Sequence, residues 1–288
     1  MSTTTSKTPS KPAPWKSAFL EHLNKMDSPE FVFSSLHPSP NPSAPVPYVP
    51  RARYCIFRGF WAELPENKHN DAPKNERVYE SEMPTFTSDV RMLKIPEVFA
   101  SSAGKAEDTG GASAAGPEER GQSRGSGGGG PIEAVWWIKE TMTQWRLKGE
   151  AFVVGEDIDG ETSGVRTVKS EVGSRMRVVN GMEGKQGDWD WKKELTGHFG
   201  NNSPGIRGSF RAPPPGRPTS EPYDDKNLKL GMKVSELDDP YARKNFRVVI
   251  IKPDEVEQLD LSDPATSRRQ YYTFDSSTGD WKHEELWP

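Results

Sequence analysis

The chain has 288 residues, with 38 Lys or Arg against 42 Asp or Glu, so its formal net charge is −4. A protein that binds nucleic acid through general electrostatics needs an excess of cations, so this near-balance argues against that class. The sequence also lacks the roughly 18 consecutive apolar residues of a membrane helix, and its N-terminus has no apolar signal segment. These features predict a soluble, cytoplasmic protein with no membrane or nucleic-acid partner.

Cysteine and histidine usage bears on metal and redox chemistry. A single cysteine, Cys55, excludes an internal disulfide framework and a cysteine-based zinc site, and its apolar neighbours predict a small buried side chain. The five histidines are dispersed and show no metal-binding spacing. No metal site is therefore expected.

Three stretches of the sequence are too polar to bury a core. Residues 1–12 are predicted to form a disordered tail. Residues 101–130 contain no Val, Ile, Leu, Met or aromatic residue and end in a run of glycines, which predicts a flexible insertion. Residues 155–187 carry scattered glycines and charges and are predicted to form a second insert, with a few apolar residues that could make a short hairpin. The rest of 13–288 is expected to be one folded domain.

The first half of the chain alternates helix and strand signals. Hydrophobic residues at helical spacing predict an amphipathic helix over residues 14–26. Aromatic and β-branched residues predict a strand over residues 53–60, and a short strand is expected over residues 85–88. Asp89 is then well placed to cap a following helix that carries Lys94.

The second half is dominated by strand signals. Residues 134–139 and 144–154 are predicted to be neighbouring strands, whereas a helix is expected over residues 189–199 and a rigid proline-rich loop over residues 210–216. Four more strands are predicted near the C-terminus, over residues 245–252, 256–261, 270–274 and 281–286. Many strands, few helices and no regular β-helix-β alternation predict a mainly β fold, an antiparallel barrel or sandwich with peripheral helices.

Two pairs of cations are the most informative local pattern. Arg53 and Arg58 are five residues apart, so on a regular strand they would point to opposite faces. Arg91 and Lys94 are three apart in the first turns of the predicted helix, where free backbone N–H groups favour an anion, and together they suggest a phosphate cradle. The alternative interpretation is that all four are solvated surface cations.

Several motifs occur in the order found in a known family. The sequence resembles the FMN-binding split-barrel family of pyridoxamine 5′-phosphate oxidase from about residue 14 to residue 288, interrupted by the two inserts. The motifs are Arg53 with Arg58, residues 86–94, residues 144–149, residues 210–216, and the C-terminal region with Arg268, Arg269, Trp281 and Pro288. The resemblance implies an antiparallel split β-barrel, FMN as cofactor, and a homodimer with FMN at each subunit interface.

The resemblance also implies a role for eight residues in cofactor binding. In the family, the arginine matched by Arg53 contacts FMN, the position of Arg58 touches flavin and substrate phosphate, and the lysine matched by Lys94 binds phosphate. Gln144 corresponds to a flavin-contacting glutamine, and Arg269 to an arginine that reaches FMN across the dimer interface. The full set is Arg53, Arg58, Ser88, Asp89, Arg91, Lys94, Gln144 and Arg269.

Four positions depart from the family pattern. Ala265 and Ser267 occupy the places of the arginine and histidine that grip pyridoxal phosphate in the true oxidase, and Arg243 aligns with a flavin-stacking tryptophan. Met92 stands where the family usually has a serine, so one phosphate hydrogen bond is missing. The resemblance therefore implies FMN binding more strongly than it implies oxidation of vitamin B6 phosphates.

Three functions are compatible with the sequence. The first is a flavin-dependent oxidoreductase of the pyridoxamine 5′-phosphate oxidase-like class, with an unidentified small-molecule substrate and unassigned catalytic residues. The second is a non-catalytic flavin-binding or protein-interaction module. The third is a scaffold without cofactor, whose Pro-rich and Gly-rich segments recruit partners.

Overall fold

A computed structural model of the chain describes residues 7–41, 43–102, 125–223 and 225–288. The helices in these residues are α1 (Lys16–Leu23), α2 (Lys94–Ala100), α3 (Ser163–Gly173), α4 (Trp191–Gly200), α5 (Pro204–Ser209) and α6 (Pro240–Asn245). The strands are β1 (Glu30–Pro38), β2 (Tyr48–Ile56), β3 (Tyr79–Glu80), β4 (Thr85–Asp89), β5 (Gly127–Ile138), β6 (Thr143–Val154), β7 (Arg177–Val178), β8 (Phe246–Asp260), β9 (Arg268–Asp275) and β10 (Asp280–Leu286).

Eight of the strands form one antiparallel sheet in the order β10-β9-β8-β6-β5-β1-β2, with β4 also paired to β8. Strand β8 is 15 residues long and pairs with β6 along one edge. Its other edge is divided, because β4 pairs with its first part and β9 with its last part. The prediction of a mainly β, antiparallel fold with few helices is confirmed.

The sheet closes on itself where the chain leaves β2. The backbone N–H of Arg58 donates to the Thr85 carbonyl, and the Thr85 N–H donates to the Gly59 carbonyl, each at 2.8 Å. Strands β1, β2, β4, β8, β6 and β5 therefore enclose a barrel. Gly59 has φ +103°, and a Cβ there would lie 2.6 Å from Cδ of Pro65, so this joint requires glycine.

The barrel interior is filled by side chains that alternate along the strands. Phe33, Ala134 and Leu147 lie opposite one another on β1, β5 and β6, and all three are fully buried. Helix α1 covers this core, with the Phe19 ring 5.0 Å from the ring of Trp136. The helix predicted over residues 14–26 is confirmed with shorter ends.

A second hydrophobic cluster lies outside the barrel wall, beneath α3 and α4. It includes Phe152 and Val154 of β6 and Phe246, Val248 and Ile250 of β8, all buried. These parts of β6 and β8 are thus covered on both faces, which explains their nearly continuous apolar sequence. In the described ranges, no helix is long and apolar enough to cross a membrane.

The prediction that residues 155–187 are too polar to bury a core is wrong. Helix α3 lies within it, and Val165, Val168 and Val172 are fully buried against the outer cluster. Their spacing of three and four residues marks one face of a helix, and Thr162 caps that helix by accepting the Val165 N–H. The apolar face was hidden because the residues between the valines are polar or charged.

The glycine run at the end of the first insertion also differs from the prediction. Residues 103–124 lie outside the described residues, but β5 begins at Gly127, and Gly127–Gly130 are buried in the barrel wall. A Cβ on Gly130 would collide with the Val98 carbonyl oxygen of α2. These glycines therefore let a helix pack directly on a strand, rather than making a linker.

Three strand boundaries need correction. Strand β1 was not predicted. It forms a hairpin with β2, in which Pro38 pairs with Tyr48, and β2 ends at Ile56 rather than at residue 60. The two strands predicted over residues 245–261 are one continuous strand, β8. Pro253 lies inside it beside the irregular pairing at Gly149, where a bulge accommodates the missing N–H.

Part of the predicted disordered tail is held against the protein. The Lys7 N–H donates to the Ser276 carbonyl at 3.0 Å, and Ser10 Oγ donates to Asp280 at 3.2 Å. Ser276 lies in the turn between β9 and β10, and Asp280 is the first residue of β10. Residues 7–10 are therefore bound to the C-terminal hairpin, and residues 1–6 lie outside the described chain.

Candidate functional site

Asp89 does not cap a helix, because it holds Arg91 instead. Its Oδ1 accepts the Arg91 backbone N–H at 2.8 Å, and its two carboxylate oxygens bind the Arg91 guanidinium at 2.9 and 2.6 Å. Arg91 Nη1 also donates to the Ala212 carbonyl at 2.9 Å. Such a bidentate ion pair is strong, so the Arg91 guanidinium is occupied by protein partners. The helix begins only at Lys94.

Arg53 is held by a carboxylate that the sequence analysis missed. Its Nη2 donates to Glu97 Oε2 at 2.6 Å and its Nη1 to Ser35 Oγ at 2.6 Å. Glu97 is only 1% exposed and also accepts hydrogen bonds from Ser35 Oγ at 2.5 Å and from His37 Nδ1 at 3.1 Å. The Arg53 charge is therefore compensated inside the protein, and its guanidinium has a fixed position.

Lys94 is a half-buried cation with little compensation. Its Nζ lies 3.3 Å from Ser88 Oγ, and no described carboxylate comes within ion-pair distance. Burial lowers the pKa of Lys94, and the nearby Arg53 cation acts in the same direction. Cys55 adjoins this cluster as a buried thiol, and burial raises its pKa to about 11, so it stays neutral at physiological pH.

Arg58 lies at the closing joint of the barrel. Because β2 ends at Ile56, the argument that Arg53 and Arg58 point to opposite faces of one strand does not apply. The Arg58 Nε is buried without a hydrogen-bond partner among the residues described, and burial lowers the pKa of the guanidinium. A buried donor without a partner is costly and suits a bound anion.

Gln144 and Arg269 lie together elsewhere in the fold. Gln144 of β6 is paired with Leu259 of β8, which is paired with Arg269 of β9, so the three residues form one row. Along its strand, each of the three lies an odd number of residues from a residue that faces inward. Side chains at odd separations on a strand point to opposite faces, so the row lies on the outer face of the sheet. Trp137 continues this row on β5 and is 44% exposed.

Arg269 is only partly satisfied in this row. Its Nη1 donates to Glu257 Oε2 at 3.0 Å, while its Nε is buried without a partner in the part of the chain that is described. The eight predicted residues thus fall into three groups. Arg53, Arg58, Ser88 and Lys94 lie around β2, β4 and α2, Asp89 and Arg91 form a closed pair beside them, and Gln144 and Arg269 lie on the outer face.

The donor set fits an FMN phosphate in part. A phosphate ester carries close to two negative charges and requires convergent cations and hydroxyl donors. Lys94, Arg58 and Ser88 offer donors that the protein leaves wholly or partly unused, whereas those of Arg53 and Arg91 are largely taken. Lys94 and Ser88, whose donor atoms lie 3.3 Å apart, therefore offer a partial cradle that suits a phosphate group, and the Arg58 Nε at the barrel joint is a further unused donor.

The positions that depart from the family pattern offer no cation to a substrate. Ser267 Oγ donates to the Asp263 carbonyl at 2.9 Å, and the Ala265 N–H donates to Asp263 Oδ1 at 2.9 Å, so this loop bonds to itself. Arg243 is buried, and its guanidinium donates to Glu156 at 3.0 Å and to a threonine hydroxyl of α4. Arg243 therefore ties α4 to α6 and provides no stacking surface.

Comparison with known proteins agrees with this fold. The sequence profile of the family described as pyridoxamine 5′-phosphate oxidase, FMN-binding domain, matches residues 12–155, half of the chain. The chain is similar to a pyridoxamine 5′-phosphate oxidase-related, FMN binding protein from Nostoc punctiforme PCC 73102, with 17% identity, a TM-score of 0.52, and coverage of 96% of this chain and 98% of that chain. The prediction of a split barrel is confirmed by this similarity.

A second solved structure covers nearly the same length. It is PhzG from Burkholderia lata 383 in complex with tetrahydrophenazine-1-carboxylic acid, with 15% identity, a TM-score of 0.47, and coverage of 97% of this chain and 94% of that chain. None of the curated proteins matches the sequence.

Proposed function

Because the chain belongs to the pyridoxamine 5′-phosphate oxidase FMN-binding domain family, we propose that it binds FMN and acts as a flavin-dependent oxidoreductase on a small-molecule substrate. The observation that carries this proposal is the pair of cations, Lys94 and Arg58, which are partly buried and have no carboxylate partner among the described residues. Burying a charge without a counter-ion costs free energy, and a phosphate group would supply the missing charge.

Each residue around β2 and β4 has a distinct task in this proposal. Lys94 and Arg58 bind the phosphate, and Ser88 adds a hydroxyl donor. Arg53 is fixed by Glu97 and orients the cofactor rather than adding net charge. FMN, when bound, supplies a ring that accepts a hydride or an electron pair from the substrate.

The outer-face row supports a homodimeric site. Gln144 and Arg269 lie on the opposite face of the sheet from Arg53, so one copy cannot easily bring both groups to the same ligand. Large apolar side chains near this row are exposed, as expected for a surface covered by another subunit. They are Trp137, Met142, Leu261, Leu286 and Trp287. We propose that a second copy presents Gln144 and Arg269 to the FMN held by Lys94.

The phosphate site is tested by the FMN content of a double variant. Lys94→Ala with Arg58→Ala should lose FMN on purification and bind added FMN at least 100-fold more weakly, because each charge-assisted hydrogen bond contributes about 1.5–3 kcal/mol. Flavin absorbance gives the FMN-to-protein ratio, and fluorescence quenching gives Kd. Lys192→Ala, an exposed lysine of α4, is the matched control. Wild-type FMN content in the double variant would refute the site.

The two-copy arrangement is tested by mixing variants. Lys94→Ala and Arg269→Ala should each bind FMN poorly as pure proteins. After the subunits exchange, half of the dimers are mixed and each holds one intact site, so about a quarter of all sites should recover wild-type affinity. Recovery is measured by FMN titration of the mixture. If the mixture binds no better than its components, a shared site is excluded.

A flavin-binding module without turnover is the second candidate function. The self-bonded loop at Ala265 and Ser267, which lacks a cation for a substrate phosphate, favours this candidate. Oxygen consumption with pyridoxamine or pyridoxine 5′-phosphate discriminates between the two. Turnover above the rate of free FMN would reject the non-catalytic module.

A further inference from the structure

A histidine and a buried carboxylate form a pair beside the candidate phosphate site. The Nδ1 of His37 lies 3.1 Å from Oε1 of Glu97, which is 1% exposed. The other oxygen of this carboxylate accepts from Arg53 and Ser35. Because a carboxylate can only accept, Nδ1 carries the proton of the hydrogen bond. The Nε2 of His37 forms no hydrogen bond with a described residue, and the side chain is 31% exposed.

His37 lies on the same face of the β1–β2 hairpin as Arg53. His37 and Phe33 are an even number of residues apart along β1, and Phe33 pairs with Arg53 on β2. Glu97 reaches this face from α2 and binds His37 with one oxygen and Arg53 with the other. The imidazole and the guanidinium are therefore coupled through a single carboxyl group.

The same carboxylate acts on the lysine of the candidate phosphate site. Lys94 precedes Glu97 by three residues on α2, so the two side chains share one face of the helix. Burial lowers the pKa of Lys94, the Arg53 cation acts in the same direction, and the Glu97 carboxylate acts in the opposite one. A second cation bound to Glu97 would therefore change the electrostatic potential at Lys94.

Few other titratable groups face His37 in the described chain. Arg51 of β2 pairs with Ser35 and is exposed, and an arginine keeps its charge at any physiological pH. Tyr48 of β2 donates its hydroxyl to a backbone carbonyl of α2 at 3.2 Å. On the other side, β5 places Ile132 opposite Ser35, and the residues before it are a proline and glycines. Histidine is the residue type whose charge ordinarily changes between pH 5 and pH 8.

We propose that His37 is a positioning residue that sets the charge available to the FMN phosphate, an inference that rests on the FMN site proposed above. When Nε2 takes up a proton, Glu97 is shared between two cations and compensates Arg53 less completely. The cluster then presents one more positive charge to a dianionic phosphate. Protonation of His37 and binding of the phosphate therefore favour each other, so His37 should strengthen FMN binding at low pH and lose this effect as the pH rises.

The pH dependence of FMN binding in wild type and His37→Gln tests this coupling. The glutamine side chain can still donate to Glu97 but does not titrate. Wild type should bind FMN about five- to tenfold more tightly than the variant at pH 6 and within about twofold at pH 8, because one charge is added near a dianion. Comparing the proteins at the same pH removes the titration of the FMN phosphate itself. His69→Gln, which replaces an exposed histidine between β2 and β3, should behave like wild type.

A permanent charge separates this role from a structural one. His37→Lys should bind FMN several-fold more tightly than wild type at pH 8, because the lysine is charged there. If FMN binds and His37→Gln leaves the pH dependence unchanged, or His37→Lys binds no better than wild type at pH 8, the inference fails.

Sulfate provides a test without the cofactor, because it stays a dianion throughout this range. Compared with chloride at the same ionic strength, sulfate should raise the midpoint of the His37 ring titration in the cofactor-free protein, as followed by NMR. An unchanged midpoint would overturn the inference. If no FMN binds at any pH, the proposed cofactor is wrong, and the sulfate titration still decides whether His37 is coupled to an anion.

Discussion

Replacing Glu97 with glutamine should lower the free energy of unfolding by about 3 kcal/mol. Glu97 is 1% exposed and accepts hydrogen bonds from Arg53, Ser35 and His37. A neutral amide of the same shape leaves the Arg53 guanidinium without its counter-charge, and breaking a buried ion pair on one side costs about 3–5 kcal/mol. The low end applies because Arg53 keeps some contact with solvent.

Urea denaturation of wild type and variant measures this loss. Glu221→Gln is the control, since Glu221 pairs with Arg217 on the exposed surface and such pairs contribute about 0–1 kcal/mol. Adding Arg53→Met to Glu97→Gln should recover part of the lost stability, because it removes the uncompensated charge. A loss below about 1 kcal/mol in Glu97→Gln would show that the carboxylate is not the centre of this cluster.

Replacing Glu194 with glutamine should change how stability depends on pH. The pKa of Glu194 is about 7 in the folded protein against an ordinary value of 4.5, so the folded state binds the proton more tightly than the unfolded state. The stabilisation from this proton is complete below pH 4.5 and is lost as the pH rises through 7. Between pH 5 and pH 8 the loss amounts to about 2–3 kcal/mol.

The difference between wild type and Glu194→Gln isolates this group. Glutamine does not titrate, so the stability of wild type relative to the variant should fall by about 2–3 kcal/mol from pH 5 to pH 8, as measured by urea denaturation. His198 does not interfere, because its pKa of about 3 lies below this range. A constant difference across the range would mean that Glu194 titrates like an exposed carboxyl group.

Much of the barrel could be predicted from the sequence because its strands have local signals. The β5–β6 and β9–β10 hairpins combine β-branched and aromatic residues with polar turns, and β6, β9 and β10 were predicted close to their observed bounds, whereas β5 begins seven residues earlier than predicted. Helix α3 was missed because only three valines mark its buried face. The strand role of Gly127–Gly130 was missed because it depends on contact with α2, which no local pattern reveals.

The sequence names candidate residues for the site, which stay a prediction, but it could not give the partners of those residues. Motif order identified the eight residues, yet it could not show that Arg91 is bound to Asp89 or that Arg53 is bound to Glu97. Glu97 lies 44 residues from Arg53 and 62 from Ser35 in the sequence, and only the packing of α2 on β1 brings them together. Only the folded structure therefore shows which cations remain available to bind an anion.

The joint that closes the barrel links cofactor retention to local opening. Three backbone hydrogen bonds make this joint, two at Thr85 and one from the Trp61 N–H to the Met83 carbonyl, whereas β1 and β2 share nine paired positions. Arg58 belongs to the joint, so a phosphate held by Arg58 would be bound only while the barrel is closed. The apparent Kd would then be the intrinsic Kd divided by the closed fraction. By the same reciprocity, FMN should slow amide hydrogen exchange at Thr85, and a substitution that strains Gly59 should release cofactor without touching it.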